Sequence, residues 1–336
     1  MTLRLCIITD AWVPQVNGVV RTLEAVEREL RRAGHTVLTI GPDRFRSIPC
    51  PTYPEIRLAL FPTNALTRLI DDFKPDAIHI ATEGPLGVLA RRLCRKRGWP
   101  FTTSFHTRFP DYLAARFWVP PDWTYRWLRS FHAAAASTMV ATQSLEDDLA
   151  GRGFRNMVRW TRGVDIEMFR PDLPVPDAMA ALPRPIFLHV GRIAVEKNLD
   201  AFLSLDLPGS KVLVGEGPQR TKLMERYPDA HFLGMKKGPD LAACYAAADA
   251  FVFPSRTDTF GLVLLEALAC GTPVAAYPVT GPLDVIGDAP VGVLSEDLGK
   301  AARIALTLDR AACRRHAQGF SWSTSATQFA RNLMPT

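Results

Sequence analysis

Short apolar runs recur along the chain. Each is followed by a polar or glycine-containing loop and then by a stretch in which apolar residues return every three or four positions. Residues 3–9, LRLCIIT, are the first such run, and a run this uniformly apolar predicts a buried parallel strand. A loop over residues 10–18 follows, punctuated by Pro14 and Gly18. Beyond it Val19, Leu23, Val26 and Leu30 fall on one helical face, while Arg21, Glu24, Glu27, Arg28 and Arg31 turn to water. Gly34 ends this helix and residues 35–40 supply the next strand, so the chain opens with a βαβ unit.

The pattern then repeats. A proline-rich connection covers residues 42–62, and DAIHIA at 76–81 reads as a buried strand that delivers Thr82, Glu83 and Gly84 to its carboxyl end. A helix over 86–97 and a strand over 101–105 come next, the strand ending in His106, Thr107, Arg108, Pro110 and Asp111. Residues 139–142 form a further strand, with a helix from Leu145. Pro171, Pro174, Pro176, Pro183 and Pro185 then mark a stiff linker over 171–184. Strands at 185–190, 211–214, 231–233, 250–253 and 274–277 build a second domain over 185–319, with a short helix at 241–247. The fold class is therefore α/β, with two doubly wound domains, the first spanning residues 1–170.

In such domains ligands meet the loops at the carboxyl ends of the strands. Residues 250–273 form one strand, loop and helix of this kind, with Asp258 before the helix and Glu266 inside it. First-turn N–H groups of the helix favour an anion there. Glu266 is either a solvated helix position or a ligand-facing acid, and its neighbours Leu264, Leu265, Ala267 and Leu268 leave no polar face for the first. Arg192 and Lys197 follow the strand at 185–190 and provide the fork and the point charge that a pyrophosphate requires, although either could be an ordinary surface cation. Glu216 and Gly217 lie in a Gly-Glu-Gly-Pro turn whose backbone can approach a nucleotide, and Asn17 and Gly18 form a comparable turn in the first loop or a plain one with positive φ. His106, at a strand end, either faces a ligand or is packed.

Composition narrows the reading. A net charge of +6 and a pI near 9.1 suit anionic substrates, an anionic membrane surface or nucleic acid. The chain has no arginine-rich tail, helix-turn-helix signal or zinc-finger spacing, so nucleic acid is not an expected partner. Its 6 cysteines lack any Cys-x-x-Cys spacing, which argues against a zinc site or a disulfide framework. No apolar run approaches the roughly 18 to 20 residues that cross a bilayer, and the N-terminus enters a strand pattern at once, so a cytoplasmic location is expected. Residues 112–131 interleave tryptophan with Arg116, Arg126 and Arg129, which suits either a membrane interface or an aromatic core element with a basic edge.

Several of these stretches resemble the retaining glycosyltransferases of family four. The core Phe260, Gly261, Leu262 with Glu266 matches their acidic signature of two glutamates eight positions apart, except that Asp258 holds the first position. Phe105, His106 and Thr107 match a second motif, and Gly191 and Arg192 followed by Glu196, Lys197 and Asn198 match a third. Gly163, Val164, Asp165 and Phe169 resemble the family's exit from its first domain, and Asn17 with Gly18 its first loop. The resemblance implies a GT-B fold, two Rossmann-like domains facing a central cleft, with a last helix at 320–336 crossing back to the first.

It also implies an activity: transfer of a hexose, with retention, from a UDP- or GDP-linked sugar, with no cofactor and no metal. The sequence has no Asp-x-Asp motif. Arg192 and Lys197 would neutralise the diphosphate, Glu266 would hold the ribose, Asp258 would reach the sugar and His106 would lie over it. Gly191, Glu216, Gly217, Phe260, Gly261, Leu262, Asn17 and Gly18 would complete the donor site. Asp10, Glu83, Arg108 and Asp111 are acceptor-side candidates. The first loop and the Phe-His-Thr segment look most like enzymes that glycosylate phosphatidylinositol or diacylglycerol, so the expected acceptor is a lipid or glycan and the expected place the inner face of the cytoplasmic membrane. A sugar-nucleotide epimerase of the same fold and a non-catalytic sugar-nucleotide sensor are the alternatives.

Overall fold

The computed structural model describes residues 2–15, 17–50, 53–60, 62–108 and 120–336, and these divide into two compact units. The first comprises residues 1–162 with 322–336, and the second residues 163–321.

The first unit carries a parallel sheet of six strands: β1 (Arg4–Ile8), β2 (Thr36–Ile40), β5 (Ala77–Ile80), β6 (Thr102–Ser104), β7 (Ser137–Val140) and β8 (Met157–Arg159). Their order is β2-β1-β5-β6-β7-β8. The winding reverses between β1 and β5, so the loops after these two strands flank the point where open α/β sheets bind ligands. The apolar face predicted for the first helix, Gly18–Arg32, is buried through Val20, Leu23, Val26 and Leu30. It packs in one core with Ala326 and Phe329 of the last helix, Trp322–Asn332, and the Trp160 indole donates to Ser325 Oγ at 3.1 Å. The chain's end thus returns to its beginning, as expected.

Two elements were hidden by the prolines of residues 42–62. β3 (Ser47–Cys50) and β4 (Tyr53–Ala59) form an antiparallel hairpin, and a helix spans Thr63–Phe73 with Leu66 and Ile70 buried. Prolines 120 and 121 stand at a helix start. They open the helix Pro121–His132, where a missing N–H costs nothing.

The second unit repeats the architecture with β9 (Ile186–Val190), β10 (Ser210–Val214), β11 (His231–Phe232), β12 (Ala250–Phe253), β13 (Val274–Ala276) and β14 (Gly292–Leu294). All pair in parallel, in the order β11-β10-β9-β12-β13-β14, and the winding reverses between β9 and β12. The boundary between units differs from the expected one. Residues 163–170 belong to the second unit, because Arg314 donates to the carbonyls of Phe169 at 2.6 Å and Ile166 at 2.7 Å. Residues 171–184 also go with this unit and contain a short helix, Asp177–Ala180, that buries Met179.

Candidate functional site

At the reversal point of the second unit, the loops after β9 and β12 are tied together by three contacts. Lys197 Nζ donates to both carboxylate oxygens of Asp258, at 2.6 and 2.8 Å. Asn198 Nδ2 donates to the Pro254 carbonyl at 3.2 Å, and Ser255 Oγ to the Glu196 carbonyl at 3.4 Å. Asn198 can orient its side chain this way because it adopts a left-handed φ of 53°, which asparagine tolerates. Burial pushes the Asp258 carboxyl up, but the charge and hydrogen bonds of Lys197, with Ser255 and His189, outweigh it and hold the group below its ordinary range. Lys197 and Asp258 retain 18% and 17% side-chain exposure, so this charged pair is reachable from solvent. The family resemblance assigned the two residues to separate parts of a ligand and did not anticipate their pairing.

Around the pair lie the other residues singled out. Gly191 and Arg192 are half-buried directly after β9. Under them His189 is fully buried, its Nδ1 3.2 Å from the Val252 carbonyl and its Nε2 without a hydrogen-bond partner among the described residues. Burial lowers its pKa to about 4, so the ring is neutral at pH 7. The turn after β10 is pressed against the loop after β9: Ile193 N–H donates to the Glu216 carbonyl at 2.9 Å. A Cβ on Gly215, whose φ is 145°, would lie 1.9 Å from the Gly191 carbonyl oxygen. Gly215→Ala is therefore expected to force the two loops apart, costing about 1–3 kcal/mol from backbone strain, and a thermal melt should show a drop of several degrees. The Glu216 side chain is exposed, 3.5 Å from Arg220 Nε, while Gly217 packs on Ile193.

The helix Leu262–Ala269 begins at Gly261, which takes a left-handed φ of 82° and offers no side chain to cap the first-turn N–H groups. Phe260 is buried beside it and Leu262 half-buried. Glu266 is 6% exposed, which settles the choice against a solvated helix position, and its Oε2 accepts from the Tyr245 hydroxyl at 2.8 Å. Tyr245 escaped the sequence reading. It lies in the helix Gly238–Ala247 with its ring against Phe169 and Phe251.

In the first unit, Asn17 takes an extended conformation, with no positive φ at either Asn17 or Gly18. Its side-chain oxygen accepts from Val19 and Val20 N–H, both at 3.0 Å. It is the N-cap of the first helix. Asp10 is 6% exposed and faces inward: it accepts from Leu86 N–H at 2.9 Å, Gly87 N–H at 3.3 Å and the Thr82 hydroxyl at 3.0 Å. This carboxylate caps the helix Pro85–Arg97, in space left by the missing side chain of Gly84.

Burial pushes Asp10 up to about 6 despite those hydrogen bonds. The folded state thus binds its proton more tightly than the unfolded chain does, and stability falls as pH rises through 6. Relative to Asp10→Asn, the wild type is expected to lose stability between pH 5 and pH 7 in denaturant titrations.

Glu83, half-buried after β5, hydrogen-bonds His132 Nε2 at 3.1 Å, and His132 Nδ1 in turn lies 2.9 Å from Thr103 Oγ1. Arg108 is paired with Asp148 at 2.9 Å. Asp111 lies outside the described residues. His106 is half-buried, and burial, then Arg162, His79 and His132, push its pKa well below the usual value. Its Nδ1 lies 3.4 Å from Arg162 Nη2, so the neutral ring accepts at Nδ1 and carries its proton on Nε2. Among the described residues no three His, Cys, Asp or Glu side chains group as metal ligands.

Residues 16–168 match the family description "Glycosyltransferase Family 4" and residues 184–310 match "Glycosyl transferases group 1". A GDP-mannose-dependent alpha-mannosyltransferase of Mycobacterium tuberculosis is 32% identical over 87% of this chain and 83% of its own. An alpha-monoglucosyldiacylglycerol synthase of Streptococcus pneumoniae is 26% identical over 87% of this chain and 75% of its own. Among solved structures, a sucrose-phosphate synthase of Thermosynechococcus elongatus superposes with a TM-score of 0.78 at 21% identity, over 98% of this chain and 97% of that one. The chain belongs to glycosyltransferase family four, and it is a glycosyltransferase of GT-B fold.

Proposed function

We propose that the enzyme transfers a hexose, with retention of anomeric configuration and without a divalent metal, from a nucleoside diphosphate sugar to a membrane lipid. The observation that carries this reading is the Lys197–Asp258 pair at the reversal point of the second sheet, next to Arg192 and the uncapped helix start at Gly261. A lysine, an arginine and open N–H groups offer a diphosphate the cationic surroundings that a metal provides in other transferases. Arg192 and Lys197 stabilise charge on the leaving diphosphate. Glu266 accepts from the ribose hydroxyls. Asp258 aims Lys197 before the donor arrives and contacts the sugar afterwards, and its one-methylene shortening from glutamate favours direct contact with the lysine. Gly191, Glu216 and Gly217 supply main chain, and His106 is assigned to the transferring sugar, through its carbonyl or a hydrogen bond.

In the reaction the bond from C1 of the sugar to the β-phosphate oxygen breaks and a bond from C1 to the acceptor oxygen forms. The acceptor proton passes to the departing phosphate, so no protein base is required. The first unit presents the acceptor side, with Glu83 held by His132.

A GDP-linked donor in one relative's name and a diacylglycerol in another's support a nucleotide-sugar donor and a lipid acceptor. The helix Pro121–His132 supports a peripheral site at the inner face of the cytoplasmic membrane. Tyr125, Leu128 and Phe131 are buried, whereas Trp123 and Trp127 are 73% and 46% exposed beside Arg126. Tryptophan with arginine suits a headgroup layer.

The test incubates UDP- and GDP-hexoses with a lipid extract in the presence of a chelator and reads product anomers by NMR, alongside sedimentation with anionic vesicles. An epimer formed from donor alone would establish the epimerase reading instead. Donor binding without turnover on any acceptor would establish the sensor.

A further inference from the structure

Arg162 was outside the motifs that the sequence reading used, and it is a buried cation of the first unit. It follows β8 and is 4% exposed. Its Nη1 donates to the Trp160 carbonyl at 2.6 Å and reaches the Thr161 carbonyl at 3.4 Å. Its Nη2 meets His106 Nδ1 at 3.4 Å, and the guanidinium lies 4.1 Å from the centroid of the Trp160 ring. The described residues therefore give this cation two carbonyls, a neutral imidazole and a ring face, and no carboxylate.

Two half-buried cations singled out by the sequence are answered by acids, Arg108 by Asp148 and Lys197 by Asp258, whereas Arg314 is held by the carbonyls of Phe169, Ala269 and Ile166. Burying a cation without an anion is expensive, and truncating it to an apolar residue of similar volume is commonly neutral or stabilising. Its field also reaches its neighbours. After burial, the charge of Arg162 is the next cause that keeps both His79 and His106 unprotonated, with His79 lowered to about 3. Arg162 thus holds its charge beside two neutral imidazoles, next to the half-buried His106.

We propose that Arg162 is the counter-charge for an anionic group on the acceptor, a phosphate ester carried either by a lipid headgroup or by a soluble sugar phosphate. The inference rests on the glycosyltransferase reading above and narrows its acceptor: a neutral diacylglycerol would leave Arg162 unanswered, whereas a phosphate would accept from its fork. A guanidinium held over Trp160 with Nη1 fixed by a carbonyl is already oriented, so little side-chain freedom is lost when the anion arrives.

The experiment compares wild type, Arg162→Met and Arg162→Lys on three acceptors with one donor: diacylglycerol and phosphatidylinositol, each in phosphatidylcholine vesicles, and soluble inositol phosphate. All three proteins are first checked by thermal melt. A phosphate-bearing acceptor is expected to be preferred by wild type, with KM for it raised about 10- to 100-fold in Arg162→Met. Arg162→Lys should fall between them, and the Kd for the nucleoside diphosphate should stay within about twofold in both. Activity on phosphatidylinositol alone identifies the lipid headgroup as the source, and activity on inositol phosphate the soluble ester.

Calorimetry with inositol phosphate and with the nucleoside diphosphate adds a readout that needs no turnover. Preference of the wild type for diacylglycerol, equal losses on neutral and phosphate-bearing acceptors, or a change confined to donor binding would each overturn the assignment. If Arg162→Met does not fold, unaltered acceptor KM and phosphate affinity in Arg162→Lys overturn it equally. Any of these results leaves glycosyl transfer standing, whereas failure of the underlying reading would show as absence of transfer by wild type to all acceptors together with absent nucleoside diphosphate binding.

Discussion

Lys197→Ala is expected to lower kcat about 100- to 1,000-fold, the usual consequence of removing one charged donor from a preorganised site. The ammonium lies at the winding reversal of the second sheet and is held by both oxygens of Asp258, so its position is fixed before any donor binds. Because charge on the diphosphate grows as the C1–O bond breaks, the loss should fall on kcat more than on donor KM.

The substitution also unpairs Asp258, and its effect on folding has a sign. Lys197 holds the Asp258 carboxyl below its ordinary range in the folded state, against the upward push of burial. The pair therefore stabilises the protein above the unfolded carboxylate pKa of about 3.9, and that contribution is lost as pH falls through the lower folded value. Wild type and Lys197→Ala should differ in stability at pH 7 and converge in strong acid. Comparison with Asp258→Asn separates the roles: it keeps the cation, so its rate should exceed that of Lys197→Ala. A wild-type rate in purified, folded Lys197→Ala would remove the pair from the mechanism.

Most parallel strands were legible because strands buried on both faces are nearly uniform apolar runs, as in Ile186–Val190 or Ala250–Phe253, whereas the half-buried strands Met157–Arg159 and Gly292–Leu294, at the edges of their sheets, were not. The paired strands Ser47–Cys50 and Tyr53–Ala59 were not either, since prolines 49 and 54 read as coil although a two-stranded ribbon tolerates them. The helix Thr63–Phe73 starts after Pro62 for a similar reason. The positions of the candidate residues relative to the strands were legible: Arg192 and Lys197 follow β9, Asp258 follows β12 and Glu83 follows β5, strands at which the sheet orders reverse, while His106 follows β6.

What they do to one another was not. Lys197 and Asp258 are 61 positions apart, His132 and Glu83 are 49, and no local pattern encodes such pairs. Asp10 stood as an acceptor-side candidate, and only the fold reveals that the helix Pro85–Arg97 starts on it. Arg162 stands one residue before the Gly163 motif, where a strand end and a cation coincide, and that coincidence was the available signal.

Glu266→Gln is expected to reduce kcat/KM for the donor about 100- to 1,000-fold, with the nucleoside diphosphate Kd rising in parallel. The carboxylate is 6% exposed inside the apolar helix Leu262–Ala269 and accepts from the Tyr245 hydroxyl. A ribose presents two hydroxyls, and an ionised carboxylate can accept from both while still accepting from Tyr245, because its two oxygens offer about four lone-pair sites. An amide has one oxygen and turns two donors toward groups that also donate, so the substitution removes an acceptor and adds a conflict.

Tyr245→Phe tests the support alone. The ring packs on Phe169 and Phe251 and should remain in place, so losing one hydrogen bond to the acid is expected to cost about 10-fold or less. The ordering of the two variants is the informative result. If Glu266→Gln binds the nucleoside diphosphate as tightly as wild type, the acid serves the helix and not the ribose. If Tyr245→Phe is the more damaging of the two, the tyrosine hydroxyl itself contacts the donor.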